Sequence, residues 1–124
     1  MSSSDIHIAV RTRYLPEQSK PAERQFAFAY EITIANVGTE PAQLLARHWI
    51  IVDAHDKTKE VRGAGVVGEQ PRIEPGQAYR YTSGVVLGTE HGTMTGSYRM
   101  LDSTGAEFDA VIPLFVLAVP GTMH

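Results

Sequence analysis

The sequence has no cysteine among its 124 residues. That absence excludes disulfides, thiolate nucleophiles, iron–sulfur clusters and cysteine-ligated zinc sites together. Positive charge is also scarce, because 11 Lys and Arg residues stand against 14 Asp and Glu residues and give a net charge of -3. Nucleic-acid binding depends on a concentrated basic surface, so we expect no nucleic-acid partner.

Long hydrophobic runs are missing too. The longest one covers residues 111–119 and contains Pro113, whereas a membrane-spanning helix needs roughly 20 apolar residues. The first residues, Met1 to Asp5, lack the basic region of a secretory signal. We therefore expect a cytoplasmic protein with no membrane partner. The length predicts a single domain over residues 1–124, with about residues 1–5 as a flexible N-terminal tail.

Alternating apolar and polar residues are the clearest pattern present. From Phe26 to Ile34 every second side chain is large and apolar, which is the period of a β-strand with one buried face. Similar runs, separated by turn residues, recur along the whole chain. The predicted strands cover residues 6–14, 26–34, 44–52, 60–62, 79–87, 95–101 and 107–119.

About seven strands and no convincing helix predict an all-β fold. The spacing fits a two-sheet antiparallel sandwich of the fibronectin type III or immunoglobulin-like kind, and the missing cysteines favour the fibronectin branch. Pro113 lies inside the last strand, where it predicts an edge or a bulge. Both faces of that strand are apolar, so it is either covered on both sides or a docking surface; we favour the covered strand.

Gly63, Gly65 and Gly68 form a G-x-G-x-x-G pattern. In a dinucleotide-binding fold this pattern opens a helix whose N-terminus holds a pyrophosphate. Pro71 and Pro75 break the segment that such a helix would occupy, and no βαβ unit surrounds it. The preferred interpretation is that these glycines permit bulges, positive φ angles or close strand approach. A backbone nest that binds an anion or nucleotide without a helix stays open.

Metal and catalytic chemistry have weaker support. The candidate metal ligands are His48, His55, His91, Asp53 and Asp56, and their spacing matches no short ligand motif. No nucleophile elbow, zinc-protease helix or Walker loop occurs, and the carboxylates are scattered. We therefore predict no catalytic residues, no bound metal and no cofactor, that is, a protein that is not an enzyme.

The loop from Gly63 to Gly76 is the predicted docking element for an unidentified protein partner. Gln70 and Pro71 would stiffen it, while Val66 and Val67 would offer apolar contacts. An exposed sheet edge could also accept a strand from a partner. Protein interaction is thus the first functional hypothesis, and binding of a nucleotide or pyrophosphate at Gly63 to Gly68 is the alternative.

The chain from Val10 to Phe115 resembles the ApaG family over nearly its full length. The matching motifs are Val10-Arg11-Thr12-Arg13-Tyr14-Leu15, Tyr30-x-Ile32-x-Ile34-x-Asn36, Trp49-x-Ile51-x-Asp53-Ala54, Val61-x-Gly63-x-Gly65-Val66-Val67-Gly68-x-Gln70-Pro71-x-Ile73-x-Pro75-Gly76, Tyr79-x-Tyr81-x-Ser83-Gly84, Gly92-x-Met94-x-Gly96-x-Tyr98-x-Met100, and Phe108 with Ile112-Pro113-x-Phe115.

This resemblance implies a fibronectin type III-like sandwich and a molecular role that is unsettled. It implies a link to cobalt resistance and magnesium efflux, hence to divalent-cation homeostasis. Related domains in F-box proteins and in a DNA polymerase δ-interacting protein imply partner binding. The glycine pattern of the family implies a pyrophosphate site at Gly63, Gly65 and Gly68.

Overall fold

The computed structural model describes residues 1–121 as two antiparallel sheets packed face to face. The strands are β1 (Ile6–Tyr14), β2 (Phe26–Asn36), β3 (Ala42–Asp53), β4 (Thr58–Ala64), β5 (Arg72–Ile73), β6 (Ala78–Leu87), β7 (His91–Asp102) and β8 (Glu107–Ala118). Three 3-10 turns, at Ser3–Asp5, Pro16–Gln18 and Pro21–Glu23, complete the regular structure. The all-β sandwich predicted from the sequence is confirmed, with eight strands rather than about seven, because the short β5 lies inside the predicted loop.

One sheet has the strand order β1-β2-β6 and the other has β4-β3-β7-β8, with β5 pairing with β3. All pairings are antiparallel. Alternation explains the burial of β2, because Phe28, Ile32 and Ile34 are at most 1% exposed while the alternate residues 29, 31 and 33 are partly exposed. Facing them from the other sheet are Trp49, Tyr98 and Met100, so the core fills the space between the sheets.

The edge strands β1 and β8 contact each other, and this contact closes one side of the sandwich. The first residues support that closure. The Ser3 hydroxyl accepts the backbone N–H of Val111 at 2.9 Å, and the Met1 ammonium lies 3.0 Å from Oδ2 of Asp102. Residues 1–5 therefore make defined contacts in the structure, and the flexibility predicted for them stays a prediction. On the opposite side, the edges β4 and β6 border an open cleft.

The last strand differs from its predicted burial. Strict alternation predicts that Val111, Phe115 and Leu117 share one face. A bulge places two residues, Pro113 and Leu114, opposite Thr95, so Ile112 and Leu117 both turn into the core. Pro113 thus lies at a bulge in an edge strand, as predicted. The prediction that this strand is covered on both sides is wrong for residues 1–121, since Val111 and Leu114 are each 61% exposed. The other alternative, a docking surface on this face, stays a prediction.

No helix in the stretch from residue 1 to 121 is long and apolar enough to cross a membrane.

Candidate functional site

A bulge in β3 brings Arg47 to the open side of the sandwich. The pairing of β3 with β7 shifts between Leu44 and Ala46, which inserts one extra residue into β3. Before the bulge Leu44 faces the core, and after it Trp49 and Ile51 do. After the bulge, residues 47, 49 and 51 are on the inward face of β3. The Arg47 side chain therefore lines the cleft.

The glycine segment is fastened to this bulge. The Gly65 amide donates to the Leu45 carbonyl oxygen at 2.8 Å, and Nε2 of Gln70 donates to the same oxygen at 2.9 Å. Nη1 of Arg47 donates to the carbonyl oxygens of Ala64 and Gly65 at 3.1 and 3.0 Å. Gly63 pairs with Arg47 across the two strands, and a Cβ there would lie 2.7 Å from the guanidinium. The absence of a side chain at Gly63 gives the guanidinium its place.

Residues 66–69 form a tight two-residue turn. The backbone amide of Val66 donates to the carbonyl oxygen of Glu69 at 2.8 Å, and the backbone amide of Glu69 donates to the carbonyl oxygen of Val66 at 2.9 Å. Val67 and Gly68 have φ angles of 42° and 81°, the left-handed signs of a type I′ turn. Tyr79 donates its hydroxyl to Glu69 at 2.7 Å, which ties the turn to β6. The prediction that no helix begins at Gly68 is confirmed.

The structure separates the predicted partner-binding residues. Val66 is fully buried in the core, so its side chain anchors the turn and offers no surface. Val67, by contrast, is 57% exposed. Gln70 is exposed but its side chain holds β3, and the Pro71 oxygen accepts the Leu44 amide at 2.9 Å. Of these four residues, Val67 alone presents an exposed apolar side chain.

The cleft between β4 and β6 encloses about 680 Å³. Its floor is aromatic and apolar, with Trp49 in edge-on contact with Tyr30 at a ring-centre distance of 5.5 Å. Val61 of β4 and Val85 of β6 stand on opposite walls. A smaller hollow of about 200 Å³ shares part of this floor and reaches the turn. We call this hollow the Arg47 pocket and define it by Tyr30, Arg47, Trp49, Gly68, Tyr81 and Ser83.

A pair of tyrosine hydroxyls borders the Arg47 pocket, because Tyr81 lines it and Tyr98 contacts Tyr81. Tyr81 and Tyr98 hydrogen-bond to each other through their hydroxyls in the core. Burial raises the pKa of both hydroxyls well above the ordinary tyrosine value. Both therefore remain protonated at neutral pH, and one of the two protons lies in the hydrogen bond between them.

The cleft is positively charged although the whole chain is acidic. Lys57, Lys59 and Arg47 line it, with Asp53 as the acid among the lining residues. Oδ1 of Asp53 accepts the backbone amides of His55 and Lys57 at 2.8 and 3.0 Å, so this carboxylate closes the β3–β4 turn. Burial alone would raise the pKa of Asp53, but these two hydrogen bonds, together with the charges of the same two residues, lower it. Asp53 therefore stays ionised.

The candidate metal ligands do not converge. His48 pairs with Glu60 at 3.0 Å on the outer face of the larger sheet, whereas His55 and Asp56 lie in the exposed β3–β4 turn. His91 begins β7. Among residues 1–121, no three His, Asp or Glu side chains form a group able to hold a metal ion.

Arg47, Ser83 and Tyr30 are site residues that sequence reasoning missed. Alternation counted from Leu44 places Arg47 on the outer face of β3, whereas alternation counted back from Trp49 places it on the inner face. The two counts disagree because the bulge inserts one residue between Leu44 and Ala46. Trp49 and Tyr30 carry the expected signal of core residues, and they are buried. One signal was nevertheless present in the sequence, because counting back from Trp49 by two places Arg47 on the same face of β3 as the tryptophan.

Comparison with known proteins places the chain among well-defined relatives. The family model of the ApaG domain matches residues 16–102. Protein ApaG from Pseudomonas aeruginosa is 62% identical over 119 residues, covering 96% of this chain and 94% of the relative. Protein ApaG from Xylella fastidiosa is 55% identical over 122 residues, covering 98% and 96%. The X-ray structure of the structural genomics target SoR45 is similar with a TM-score of 0.93 at 50% identity, covering 98% and 92%.

Proposed function

The chain belongs to the ApaG family, and from this premise we propose that it is a non-enzymatic protein-interaction module. Its binding site is the cleft between β4 and β6, and its ligand is an extended segment of a partner protein. The resemblance to partner-binding domains supports the class of function. The open side of the sandwich supports the location.

One observation carries the proposal: the sandwich is closed by contact on one side and open on the other. β4 and β6 each end a sheet, so each has backbone N–H and C=O groups that point away from its single neighbour. These two edges border an aromatic floor. An added strand would satisfy the backbone groups of an edge and place alternate side chains on that floor.

The chemistry of the cleft defines the segment. Apolar side chains fit against Val61, Val85 and the Tyr30–Trp49 floor. Acidic side chains complement Lys57 and Lys59, because exposed lysines attract carboxylates and raise the association rate. We therefore expect a segment that alternates apolar and acidic residues, without a helix of its own.

The test is a selection from a library of random nine-residue peptides displayed on phage, followed by amide-shift mapping with the enriched peptides. We expect enriched peptides to alternate apolar and acidic residues and to shift the amides of residues 59–61 and 83–87. Val61→Asp places a charge on the apolar wall and should weaken binding at least tenfold. Lys59→Glu, at an exposed position that tolerates the change, should also weaken binding.

The matched control is Val111→Asp on the outer face of β8, where an exposed valine receives the same charge. Its affinity should equal that of the unmodified chain, and urea unfolding shows whether each variant is folded. An enriched peptide that shifts the outer face of β8 and leaves the cleft unmoved contradicts the proposal. So does a selection that enriches nothing.

A small anion bound at the glycine turn is the second candidate. The amides of Val67 and Gly68 have no hydrogen-bond partner within residues 1–121, and Gly68 borders the Arg47 pocket. Pyrophosphate or a nucleotide would find these donors there. The link to cobalt and magnesium that the family resemblance implies is a further candidate, for which the described residues offer no ligand cluster.

A further inference from the structure

Arg47 is a partly buried cation without a carboxylate. No Asp or Glu between residues 1 and 121 forms an ion pair with its guanidinium. Two backbone carbonyls and the bare surface of Gly63 hold the group in place. Guanidinium has five N–H donors, and those two bonds both use Nη1. The remaining donors are already oriented and have no acceptor from the described chain.

The other side chains of the Arg47 pocket also have donors to spare. The Tyr30 hydroxyl, the Trp49 indole N–H and the Ser83 hydroxyl have no hydrogen-bond partner between residues 1 and 121. Tyr30 is 6% and Trp49 is 2% exposed, yet no polar side-chain atom of the described chain is both buried and unpaired. Their polar atoms therefore keep some contact with solvent, and the residues line both the cleft and the Arg47 pocket.

The tyrosine pair adds one more donor. Of the two protons on Tyr81 and Tyr98, one lies in the hydrogen bond between the hydroxyls. When Tyr98 supplies that proton, the proton of Tyr81 is free for an acceptor in the Arg47 pocket, which Tyr81 lines. The pocket thus collects one positive charge and several donors, and no carboxylate lines it.

We propose that the Arg47 pocket is an oxyanion site, and that its occupant is the side-chain carboxylate of an Asp or Glu in the bound segment. This inference rests on the proposed function, because the segment delivers the carboxylate. A carboxylate accepts several hydrogen bonds and pairs with guanidinium in a fork, so it meets charge and donors at once. Lys57 and Lys59 attract acidic segments in general, whereas the Arg47 pocket selects one position in the segment.

The test compares an enriched peptide containing Glu with the same peptide containing Gln at that position. We expect the Gln peptide to bind at least tenfold more weakly. Tyr30→Phe and Ser83→Ala each remove one donor and leave the backbone contacts of Arg47 intact. Each should weaken the Glu peptide several-fold and leave the Gln peptide unchanged, a difference that a purely structural effect would not produce.

Arg47→Gln should abolish the preference for Glu. The Arg47→Gln variant also frees the carbonyl oxygens of Ala64 and Gly65. The matched control is Arg99→Gln, which removes an arginine from the outer face, where it pairs with exposed acids. That control should keep the preference. Sodium acetate and inorganic phosphate are titrated separately, with the Arg47 Nε–H signal and the amides of residues 67 and 68 as readouts.

The outcomes separate the two proposals. Glu and Gln peptides that bind equally in the cleft overturn the oxyanion site and leave the interaction function standing. Acetate that moves the Arg47 signal while no peptide is enriched shows that the pocket binds a carboxylate, but it overturns the interaction function and the assignment of the occupant to a bound segment. A phosphoserine peptide that binds more tightly than the Glu peptide overturns the carboxylate assignment.

Discussion

Gly65 directly precedes the turn of residues 66–69 and Gly68 lies within it, and each position favours glycine for a different reason. Both have positive φ angles, 62° and 81°. A Cβ on Gly65 would also collide with the backbone oxygen of Glu69, whereas a Cβ on Gly68 would meet nothing within 4 Å. The first glycine therefore permits close approach of two backbone segments, and the second permits only a left-handed conformation.

We expect Gly65→Ala to destabilise the protein far more than Gly68→Ala. The left-handed conformation costs an L-residue about 1–2 kcal/mol, which is the whole effect expected at Gly68. At Gly65 the collision with a backbone oxygen adds to that cost, for a total on the order of 3 kcal/mol or more. Urea unfolding of the two variants measures the difference. Equal losses would contradict the assignment of a close contact to Gly65.

The sequence anticipated that these glycines serve the backbone. It could not show which glycine serves which purpose, because the partner atoms come from residues 45, 47 and 69, whose positions follow from the β3 bulge and the turn. Arg47 escaped notice for the same reason. The one residue inserted at the β3 bulge decides whether the Arg47 side chain faces solvent or the cleft. The pattern of apolar and polar residues does not reveal where such an insertion occurs.

At the scale of elements, turns, strand periods and the bulge at Pro113 were predictable, and the bulge in β3 was not. The first strand, Ile6–Tyr14, matches the prediction residue for residue, and β2 differs only by two residues at its end. Each is continuous, so the period of two persists to its end. The third and last strands contain bulges, and their inward faces change phase at Ala46 and Pro113. Pro113 gave a chemical warning of its bulge, whereas the Leu44–Ala46 segment gave none.

The turn between β7 and β8 depends on one ionised side chain. Oδ1 of Asp102 accepts the hydroxyl of Thr104 at 2.6 Å and the amides of Thr104 and Ala106 at 2.9 and 3.1 Å. Oδ2 lies 3.0 Å from the Met1 ammonium. The Thr104 hydroxyl first, and the N-terminal ammonium next, hold the pKa of Asp102 well below its ordinary value. Folding thus favours the ionised form.

Asp102→Asn should therefore destabilise the protein in a pH-dependent way. A carboxylate whose pKa is lower in the folded state contributes stability above its unfolded pKa, about 3.9, and loses that contribution as the pH falls through the folded pKa. The difference in unfolding free energy between the unmodified chain and Asp102→Asn should be constant near neutral pH. It should shrink as the pH falls below about 4.

Urea unfolding at a series of pH values measures this difference. Asp109→Asn is the control, because its carboxylate forms an exposed ion pair with Arg99 at 3.0 Å and should cost no more than about 1 kcal/mol. Thr104→Val removes the largest stabilising contact of Asp102 and should reproduce part of the pH dependence. If the difference in unfolding free energy between the unmodified chain and Asp102→Asn stayed unchanged down to pH 2, the role of the ionised side chain would be refuted.

For the whole molecule, the sandwich is asymmetric. Sheet edges are normally protected, and here β8 is protected by contact with β1 and by the hydroxyl of Ser3 on the Val111 amide. The opposite edges, β4 and β6, instead border the cleft. Sequence periodicity identifies strands but does not show which strands are neighbours, so it could not predict the strand order. The cleft was unpredictable for this reason, although the strands that border it were identified.

This asymmetry predicts a pattern of amide hydrogen exchange. Amides of the central strands β2, β3 and β7 should exchange most slowly, because they are bonded on both sides and buried. The free-edge amides of β4 and β6 should exchange fastest, and the Val111 amide should be slower than they are because the Ser3 hydroxyl accepts it.

Adding an enriched peptide should slow exchange at one of the cleft edges and leave β1 and β8 unchanged. Ser3→Ala is the matched variant for the closed side, since it should speed exchange at Val111 alone. Peptide-induced protection that appears along β8 instead would place the partner on the closed side and refute strand addition in the cleft.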